Sequence, residues 1–478
     1  MNRWRGSTRV MVCLTAACLW VVPLIAQQEQ GEKPKPAARE TPPLFDTNRE
    51  QRDTDQETQN VRPDNGPMSG VQNLSLGTPE VRHSYWVPGI EYSNAIRSNS
   101  VSPTPASAWN STSFISGNLS LLEAWSHSLL SVNFSGGGFA STDAKQGSGQ
   151  YHQLATAFEI DQRRWQMLFV DQFSYLPQSA YGFGGTSALA TPGITGTLSV
   201  PLPGLQSSYV PGQSVLTTIG PRYSNASAVQ LTYAVSPRSS ITLAGVYGIL
   251  RFVDAGNINN DTTILSTGYN YLMSRKDTIG LVYLFNAYHF PGNPQALGDH
   301  AAQLAYGRKI TGKLALRLAG GPEVTLFRVP IANSSRRVSG SGRGALIYGL
   351  ERGSVELSYM HGVSGGSGVF TGSDLDQVNA TWNRQLSRVW RGSVNFGYAR
   401  NRQILSASGL APLSYDAWLA GGGLSRALGR TADFSVAYQA QIQNSNVAIC
   451  GNPACGTNYT AHQIFLAVGW HTRPLVLR

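Results

Sequence analysis

The chain has 478 residues with 13% charged residues, 41% hydrophobic residues and a formal net charge of +10. Soluble domains usually contain roughly 25% charged residues, so this composition argues against an ordinary soluble domain. After residue 26 no uninterrupted apolar stretch reaches the roughly 18 residues that a membrane-spanning helix needs. The composition therefore excludes the two commonest classes, the charged soluble domain and the helical membrane protein.

The N-terminus has the form of a secretory signal peptide. Arg3, Arg5 and Arg9 precede an almost entirely apolar run over residues 10–25, as in a basic region followed by a hydrophobic region. We predict a signal peptide over residues 1–26, cleaved after Ala26. An uncleaved membrane anchor and lipidation at Cys18 are the alternatives.

Residues 27–80 differ in composition from the rest of the chain. They are rich in Gln, Glu, Lys, Pro, Asp and Asn and poor in large apolar residues. Such segments cannot bury enough apolar surface to fold, so we predict a disordered periplasmic linker. A tail that binds peptidoglycan or a partner is the alternative.

Residues 81–478 alternate between apolar and polar side chains in repeated runs. In residues 434–443 every even position is apolar and most odd positions are polar, and residues 463–470 continue the pattern. Period two indicates a strand with one apolar and one polar face. Repeated behind a signal peptide, these strands predict an all-β fold, a membrane-spanning antiparallel up-and-down β-barrel.

The sequence predicts about eighteen strands, joined alternately by short and long connections. Eight of the short connections are turns such as those at residues 236–239 and 428–430, and the longer ones are rich in Gly, Ser, Asn and Pro. Short turns on the periplasmic side and long loops outside are typical of outer-membrane barrels. Weak runs near 341 and 414 leave sixteen strands as the alternative. The predicted strands begin near 84, 112, 128, 150, 164, 224, 239, 262, 277, 299, 313, 341, 353, 374, 389, 414, 431 and 460.

The positive charge belongs to the barrel region. Residues 81–478 contain 28 Lys and Arg against 17 Asp and Glu, whereas residues 1–80 contain nine and ten. No basic cluster is interleaved with stacking aromatics, so nucleic acid is not an expected partner. An anion-attracting lumen or contact with lipid phosphates fits the charge better.

Four charged residues are predicted to line the pore, namely Arg317, Arg343, Glu323 and Glu356. Each occupies a position that strand alternation assigns to the lumen. Arginines in a lumen could order anionic solutes and water. The structural alternative is that these opposite charges bond to one another across the barrel wall.

A long uncharged loop is predicted over residues 177–221. It includes Tyr181, Phe183, Leu202 and Leu205, and there is no charged residue between Asp171 and Arg222. A loop of this length is usually functional or disordered, and disordered loops are usually polar. We predict that it folds into the barrel as a constriction or plug. A cap over the mouth or a patch that contacts a partner is the alternative.

Cysteine usage predicts one disulfide. Cys13 and Cys18 would leave with the signal peptide, so only Cys450 and Cys455 remain. The four residues between them include Gly, Asn and Pro, which suits a tight turn closed by a disulfide in an oxidising compartment.

No motif in the chain carries a convincing catalytic signal. Residues 362–366 match G-x-S-x-G, but no helical period follows, as the nucleophile elbow requires. The eight histidines are scattered, without metal-ligand spacing. We therefore expect no catalytic residue, metal or cofactor. A barrel-wall lipase or protease is the alternative.

Over residues 84–472 the pattern resembles that of bacterial outer-membrane porins, without specific shared motifs. The resemblance implies insertion by the barrel-assembly machinery into the outer membrane of a Gram-negative-type bacterium, in contact with lipid and lipopolysaccharide. It also implies passive diffusion of small solutes, and the basic balance favours a mild anion preference. A homo-oligomer is compatible with it. A dedicated barrel for polysaccharide or hydrophobic compounds, and a closed surface scaffold or adhesin, are the alternatives.

Overall fold

A computed structural model describes residues 68–70, 84–98, 109–143, 147–176, 221–253, 256–331, 334–404, 412–446 and 458–476. Residues 1–67 lie outside these ranges. The predicted signal peptide and most of the predicted linker are therefore not described, and both stay predictions. No helix in the described parts is both long and apolar enough to cross a membrane.

Eighteen long strands and one short terminal strand make up the described fold. Each long strand has 12 to 18 residues, enough for a tilted strand to cross a bilayer. The strands are β1 Tyr85–Arg97, β2 Asn110–Ala124, β3 Ser128–Ser141, β4 Ser148–Asp161, β5 Trp165–Leu176, β6 Arg222–Ser236, β7 Ser239–Phe252, β8 Asn260–Leu272, β9 Asp277–His289, β10 Ala296–Lys309, β11 Leu314–Ile331, β12 Ser334–Leu350, β13 Gly353–Ser364, β14 Ser373–Gln385, β15 Trp390–Gln403, β16 Ser414–Ala427, β17 Ala432–Ser445, β18 Tyr459–His471 and β19 Leu475–Val476.

The sheet closes on itself into a barrel. Consecutive strands pair antiparallel, and β1 pairs with both β2 and β18. At the seam Gly89 is opposite His471 and Arg97 is opposite Gln463, while β19 adds two residues beside the start of β1. Closure leaves no unpaired edge among the long strands. The predicted fold class and the strand number of eighteen are confirmed.

Strand alternation separates an outer apolar surface from a buried inner face. Outward side chains are large and exposed, such as Leu281 at 63% and Leu304 at 64%. Inward side chains are small, polar or charged and mostly buried, such as Val282, Ala305 and Gln303. A closed barrel satisfies all of its backbone hydrogen bonds internally, and this apolar exterior suits lipid. The resemblance to outer-membrane barrels is thus confirmed at the level of fold and location.

The predicted strand boundaries need one notable correction. We predicted that β12 begins near 341, but it begins at Ser334 and pairs with β11 through Arg336 and Val338. Both strands continue beyond their neighbours, and residues 334–337 carry no apolar side chain. Sequence alternation marks only the portion of a strand that contacts lipid, so it missed this extension.

The connections confirm two different ends of the barrel. At the end that we call the short-turn end, tight turns join the strands, as where the Trp125 amide donates to the Ser128 carbonyl at 2.8 Å. Trp165 and Trp390 begin strands at this end, and Trp470 lies near the end of β18. These are headgroup-level positions for amphipathic rings. The opposite end, which carries the longer connections, is called the long-loop end.

Candidate functional site

The lumen is lined by polar side chains on every part of the wall. Glutamines recur on the inner face and are almost fully buried; they are Gln230, Gln303, Gln377, Gln439, Gln441, Gln443 and Gln463. Within the described residues, neither the amide nitrogen nor the amide oxygen of the Gln439 side chain has a protein hydrogen-bond partner, and the side-chain amide oxygens of Gln441 and Gln463 have none either. Glutamines at this density line the lumen with hydrogen-bonding groups, which suit water or a polar solute.

The four predicted pore-lining residues all lie at inward positions, but at different heights. Arg317 and Glu323 are on β11, each next to an exposed outward residue, and both are buried. Arg343 lies opposite Ala319 in the register, and Glu356 lies opposite Ile347 nearer the short-turn end. The sequence therefore identified their face. It did not reveal that Arg317 lies towards the short-turn end of the lumen and Glu323 towards the long-loop end.

Glu323 belongs to a polar cluster near the long-loop end. Its carboxylate accepts hydrogen bonds from the Ser339 hydroxyl at 3.1 Å and from the Val363 amide at 3.4 Å. On β10 next to it, the carboxylate of Asp299 accepts from Asn286 at 3.0 Å and from Thr325 at 3.2 Å. Two buried carboxylates are thus held by neutral donors on adjoining strands.

An arginine and an aspartate complete the charged wall at this end. Arg337 on β12 donates to the carboxylate of Asp374 on β14 at 2.7 Å. We did not predict Asp299, Arg337 or Asp374 as site residues. The available signal was a charged residue inside an otherwise alternating strand, but strand-by-strand reasoning does not show which of these residues meet.

The connection from β13 to β14 folds over the lumen. We call residues 365–372 the inward loop; it contains the 3₁₀ turn Gly366–Gly368, which is buried. The amide of Ile258, between β7 and β8, donates to the Gly368 carbonyl at 2.8 Å. A Cβ on Gly365 would lie 2.0 Å from Asn260 Nδ2 on β8. The loop therefore reaches from β13 to the wall at β7 and β8 and narrows the long-loop end.

Apolar side chains hold the inward loop in place. Tyr288, Phe290, Leu297 and Val363 form a buried cluster against which Ile258, Phe327 and Ile404 pack. The Tyr288 hydroxyl donates to the Val363 carbonyl at 3.0 Å. On the other side of the loop the ring centroids of Phe370 and Tyr415 lie 5.4 Å apart. The loop is thus anchored like part of a protein core rather than lying free over the mouth.

The constriction predicted from the sequence is the loop over residues 177–221, which is a different segment from the inward loop. Tyr181, Phe183, Leu202 and Leu205 lie outside the described residues, so their role as a constriction or plug stays a prediction. The inward loop carries four glycines within residues 365–372 and follows a fifth, Gly362, at the end of β13; this density was the missed signal. Three of them have positive φ, at Gly366, Gly368 and Gly372, a backbone conformation that favours glycine.

The G-x-S-x-G match is structural in this protein. The Ser364 hydroxyl lies 2.8 Å from that of Ser373 and accepts from the Gly366 amide at 3.4 Å. His361 Nδ1 is 2.7 Å from a carboxylate oxygen of Asp376, and its alternation in β13 places it on the opposite face from Ser364. These residues do not assemble a Ser-His-Asp relay. The described residues also contain no group of three metal-ligating side chains.

A second segment lies in the lumen at the short-turn end. Residues 68–70 belong to the predicted linker, yet Met68 and Ser69 are buried among β8, β9, β10 and β11. Arg317 donates to the Met68 carbonyl, and the Asn270 amide donates to the Ser69 hydroxyl at 3.0 Å. No pattern in the sequence predicted that Met68 and Ser69 contact the barrel wall. Cys450 and Cys455 lie outside the described residues, so the disulfide stays a prediction.

Comparison with known proteins found no matching family model and no matching curated protein. Solved structures with a similar fold include Pseudomonas aeruginosa OpdQ, at 9% identity and a TM-score of 0.40, covering 83% of this chain and 100% of that chain. Pseudomonas aeruginosa OccK2 (OpdF) in complex with glucuronate has 11% identity and a TM-score of 0.41, with 83% and 98% covered. Acinetobacter baumannii OccAB1 has 10% identity and a TM-score of 0.40, with 81% and 96% covered.

Proposed function

We propose that this protein is an outer-membrane channel for the passive diffusion of small polar solutes. The observation that carries this proposal is the polar inner wall, and above all its recurring glutamines, such as Gln439, Gln441 and Gln463. A barrel that served only as a surface scaffold or adhesin would gain more from an apolar, well-packed interior. A polar interior instead supports the passage of water and polar solutes.

The channel is narrow in the described conformation. Inward side chains such as Val282 and Ala305 are 0% exposed, and the inward loop and residues 68–70 occupy its two ends. Solute passage therefore depends on size and on small movements of these segments. The proposal is a restricted diffusion channel rather than a wide pore.

We propose that the anion preference, if measured, is mild because the inner wall carries both signs of charge. Arg317 and Arg343 would attract anions, and Glu323 and Glu356 would oppose them. The other charged residues at inward positions of the described strands are Arg97, Arg222, Lys309, Arg337, Arg391, Glu91, Glu159, Asp161, Asp299 and Asp433. Basic and acidic side chains are nearly equal in number at these inward positions. Most of the excess of basic residues therefore lies in turns and on the outer surface.

The test is single-channel conductance of the purified, folded barrel in a planar bilayer with a salt gradient. We expect discrete ohmic steps and a small anion-selective reversal potential. Replacing Gln439 and Gln463 with Leu should lower conductance, because an apolar wall disfavours water. Tyr438→Leu is the matched control, since Tyr438 is on β17 but faces outward. Silence from every folded variant would contradict the channel.

The same recording separates the alternatives. A dedicated polysaccharide or hydrophobic-compound barrel would show current that the solute blocks at low concentration, whereas a scaffold or adhesin would show none. Contact with lipopolysaccharide, insertion by the assembly machinery and homo-oligomer formation belong to this proposal and are tested by native electrophoresis and mass spectrometry of the barrel extracted from membranes.

A further inference from the structure

Three glycines on neighbouring strands form a notch in the inner wall at the short-turn end. They are Gly268 on β8, Gly280 on β9 and Gly307 on β10, all at inward positions. We call them, together with Asn270 and Arg317, the glycine cradle. Elsewhere the inner wall is lined mainly by glutamine, serine, asparagine and alanine, and a Cβ at inward glycines such as Gly89, Gly137 and Gly321 would meet the backbone of a neighbouring strand. Adjacent glycines instead leave room for another part of the chain to approach the backbone closely.

Met68 and Ser69 fill this notch. A Cβ on Gly268 would lie 2.2 Å from Ser69 Cβ, and a Cβ on Gly307 would lie 2.7 Å from Met68 Cε. A Cβ on Gly280 would lie 3.5 Å from Met68 Cβ. No side chain larger than hydrogen fits at Gly268 while the segment is bound, whereas a Cβ on Gly307 meets only the flexible end of the Met68 side chain. The flexible thioether of Met68 suits an irregular notch of this kind.

Polar groups hold the segment from both sides. Asn270 donates to the Ser69 hydroxyl at 3.0 Å and accepts from the Ser69 amide at 3.2 Å. The Ser266 hydroxyl donates to the Ser69 carbonyl at 3.4 Å, and Arg317 donates to the Met68 carbonyl. Ser69 is 0% exposed. The backbone groups of a short irregular segment are thus satisfied by the barrel wall, as burial requires.

We propose that the glycine cradle is a binding site for the protein's own Met68–Ser69 segment, which acts as a tethered plug of the lumen along β8–β11. The segment precedes β1 in the same chain, so release leaves it attached and at high effective concentration near the cradle. The contacts of Met68 and Ser69 with the glycine cradle support the docking without reference to any function. The plug role rests on the proposed channel function, and the experiment below separates the two.

The first measurement is labelling of a single introduced thiol. Ser69→Cys is reacted with a membrane-impermeant maleimide in the folded full-length protein, and the protein without the added thiol corrects for the native cysteines. We expect slow labelling in the Ser69→Cys protein and labelling roughly tenfold faster when Gly268→Ala is added, because overpacking of a filled site shifts its equilibrium by about that factor.

The matched control is Gly469→Ala. Gly469 lies at an inward position near the short-turn end of β18, and a Cβ there meets nothing within 4 Å. Labelling of Ser69→Cys should be unchanged by Gly469→Ala. Equal labelling rates with Gly268→Ala, Gly469→Ala and no glycine substitution would overturn the docking.

The second measurement is conductance of the same glycine variants with Ser69 intact. We expect Gly268→Ala to raise the open fraction severalfold, Gly307→Ala to raise it less because the Met68 thioether can move aside, and Gly469→Ala to leave it unchanged. If labelling shows that a variant releases the segment but its conductance is unchanged, the plug role is overturned and the proposed channel is not. Released segments with no conductance in any folded variant would overturn the plug role and the proposed channel together, while the docking would stand.

Discussion

The two ends of the lumen are narrowed by different kinds of contact. At the long-loop end the inward loop is anchored by the apolar cluster of Tyr288, Phe290, Leu297 and Val363. At the short-turn end a single apolar side chain, Met68, packs in the cluster that includes Val282 and Ala305, and the rest of the segment is held by polar side chains and a notch of glycines. Apolar burial over several side chains is hard to reverse, whereas a short, hydrogen-bonded segment releases more easily. The comparison indicates a fixed constriction at one end and a removable one at the other.

Charge pairing differs between the same two ends. Near the long-loop end Arg251 pairs with Asp261, Arg337 with Asp374 and Arg400 with Asp416. At the short-turn end exposed basic residues recur from turn to turn, and none of those named here lies within ion-pair distance of a carboxylate among the described residues. They are Arg163, Arg164, Arg238, Arg275, Lys276, Lys313, Arg352, Arg388, Arg430 and Arg473. The long-loop end is thus cross-linked by charge. The short-turn end also has ion pairs, Arg308 with Asp277 at 3.7 Å and His471 with Asp433 at 3.3 Å, but its rim carries the ten further basic residues, which we call the basic collar.

The largest effect is expected from removing the centre of the apolar anchor. Phe290 is 0% exposed, so Phe290→Ala should destabilise the barrel by about 3–5 kcal/mol and increase conductance as the inward loop loosens. Urea unfolding in detergent micelles, followed by tryptophan fluorescence, measures the first effect. Val338→Ala, at a position that is 70% exposed, is the control and should change stability little. A Phe290→Ala protein as stable as the control would contradict a fixed constriction.

A smaller effect is expected from filling the space beneath the inward loop. Gly368 has a φ of +82°, and a Cβ there would lie 2.4 Å from Phe252 Cζ. Gly368→Ala should cost about 1–3 kcal/mol from the clash, in addition to backbone strain. Gly292 has a φ of +83° but open space around its Cβ, so Gly292→Ala carries the strain without the clash. Equal unfolding free energies for the two variants would show that the loop does not press on β7.

The smallest effect sharpens the contrast in charge. Arg337→Gln breaks a 2.7 Å ion pair with Asp374 and should cost about 1 kcal/mol, since both side chains are partly exposed to solvent. Arg430→Gln removes a basic collar residue and should change stability by less than about 0.5 kcal/mol. The same unfolding measurement at low and high salt distinguishes them, because only the Arg337→Gln loss should shrink as salt increases. Identical losses would remove the distinction between the two ends.

Several features were predictable because they depend on neighbours along the chain. Alternation with period two identified strands such as β17 and β18, their outward faces and the inward positions of Arg317 and Glu323. Turn residues located the short connections. Alternation failed at the start of β12, where the strand extends past its neighbours and no apolar face is needed.

The sequence by itself determined the barrel, its strand number and the face on which each side chain lies, because alternation and turn chemistry are local properties. Only the tertiary structure decided what fills the lumen. Arg317 and Met68 are 249 residues apart in the chain, and Ser69 and Asn270 are 201 apart. The inward loop likewise meets β7 and β8, which are strands distant from β13. Contacts of this kind depend on the closure of the sheet, which brings opposite walls together, and no local pattern encodes which residues then meet.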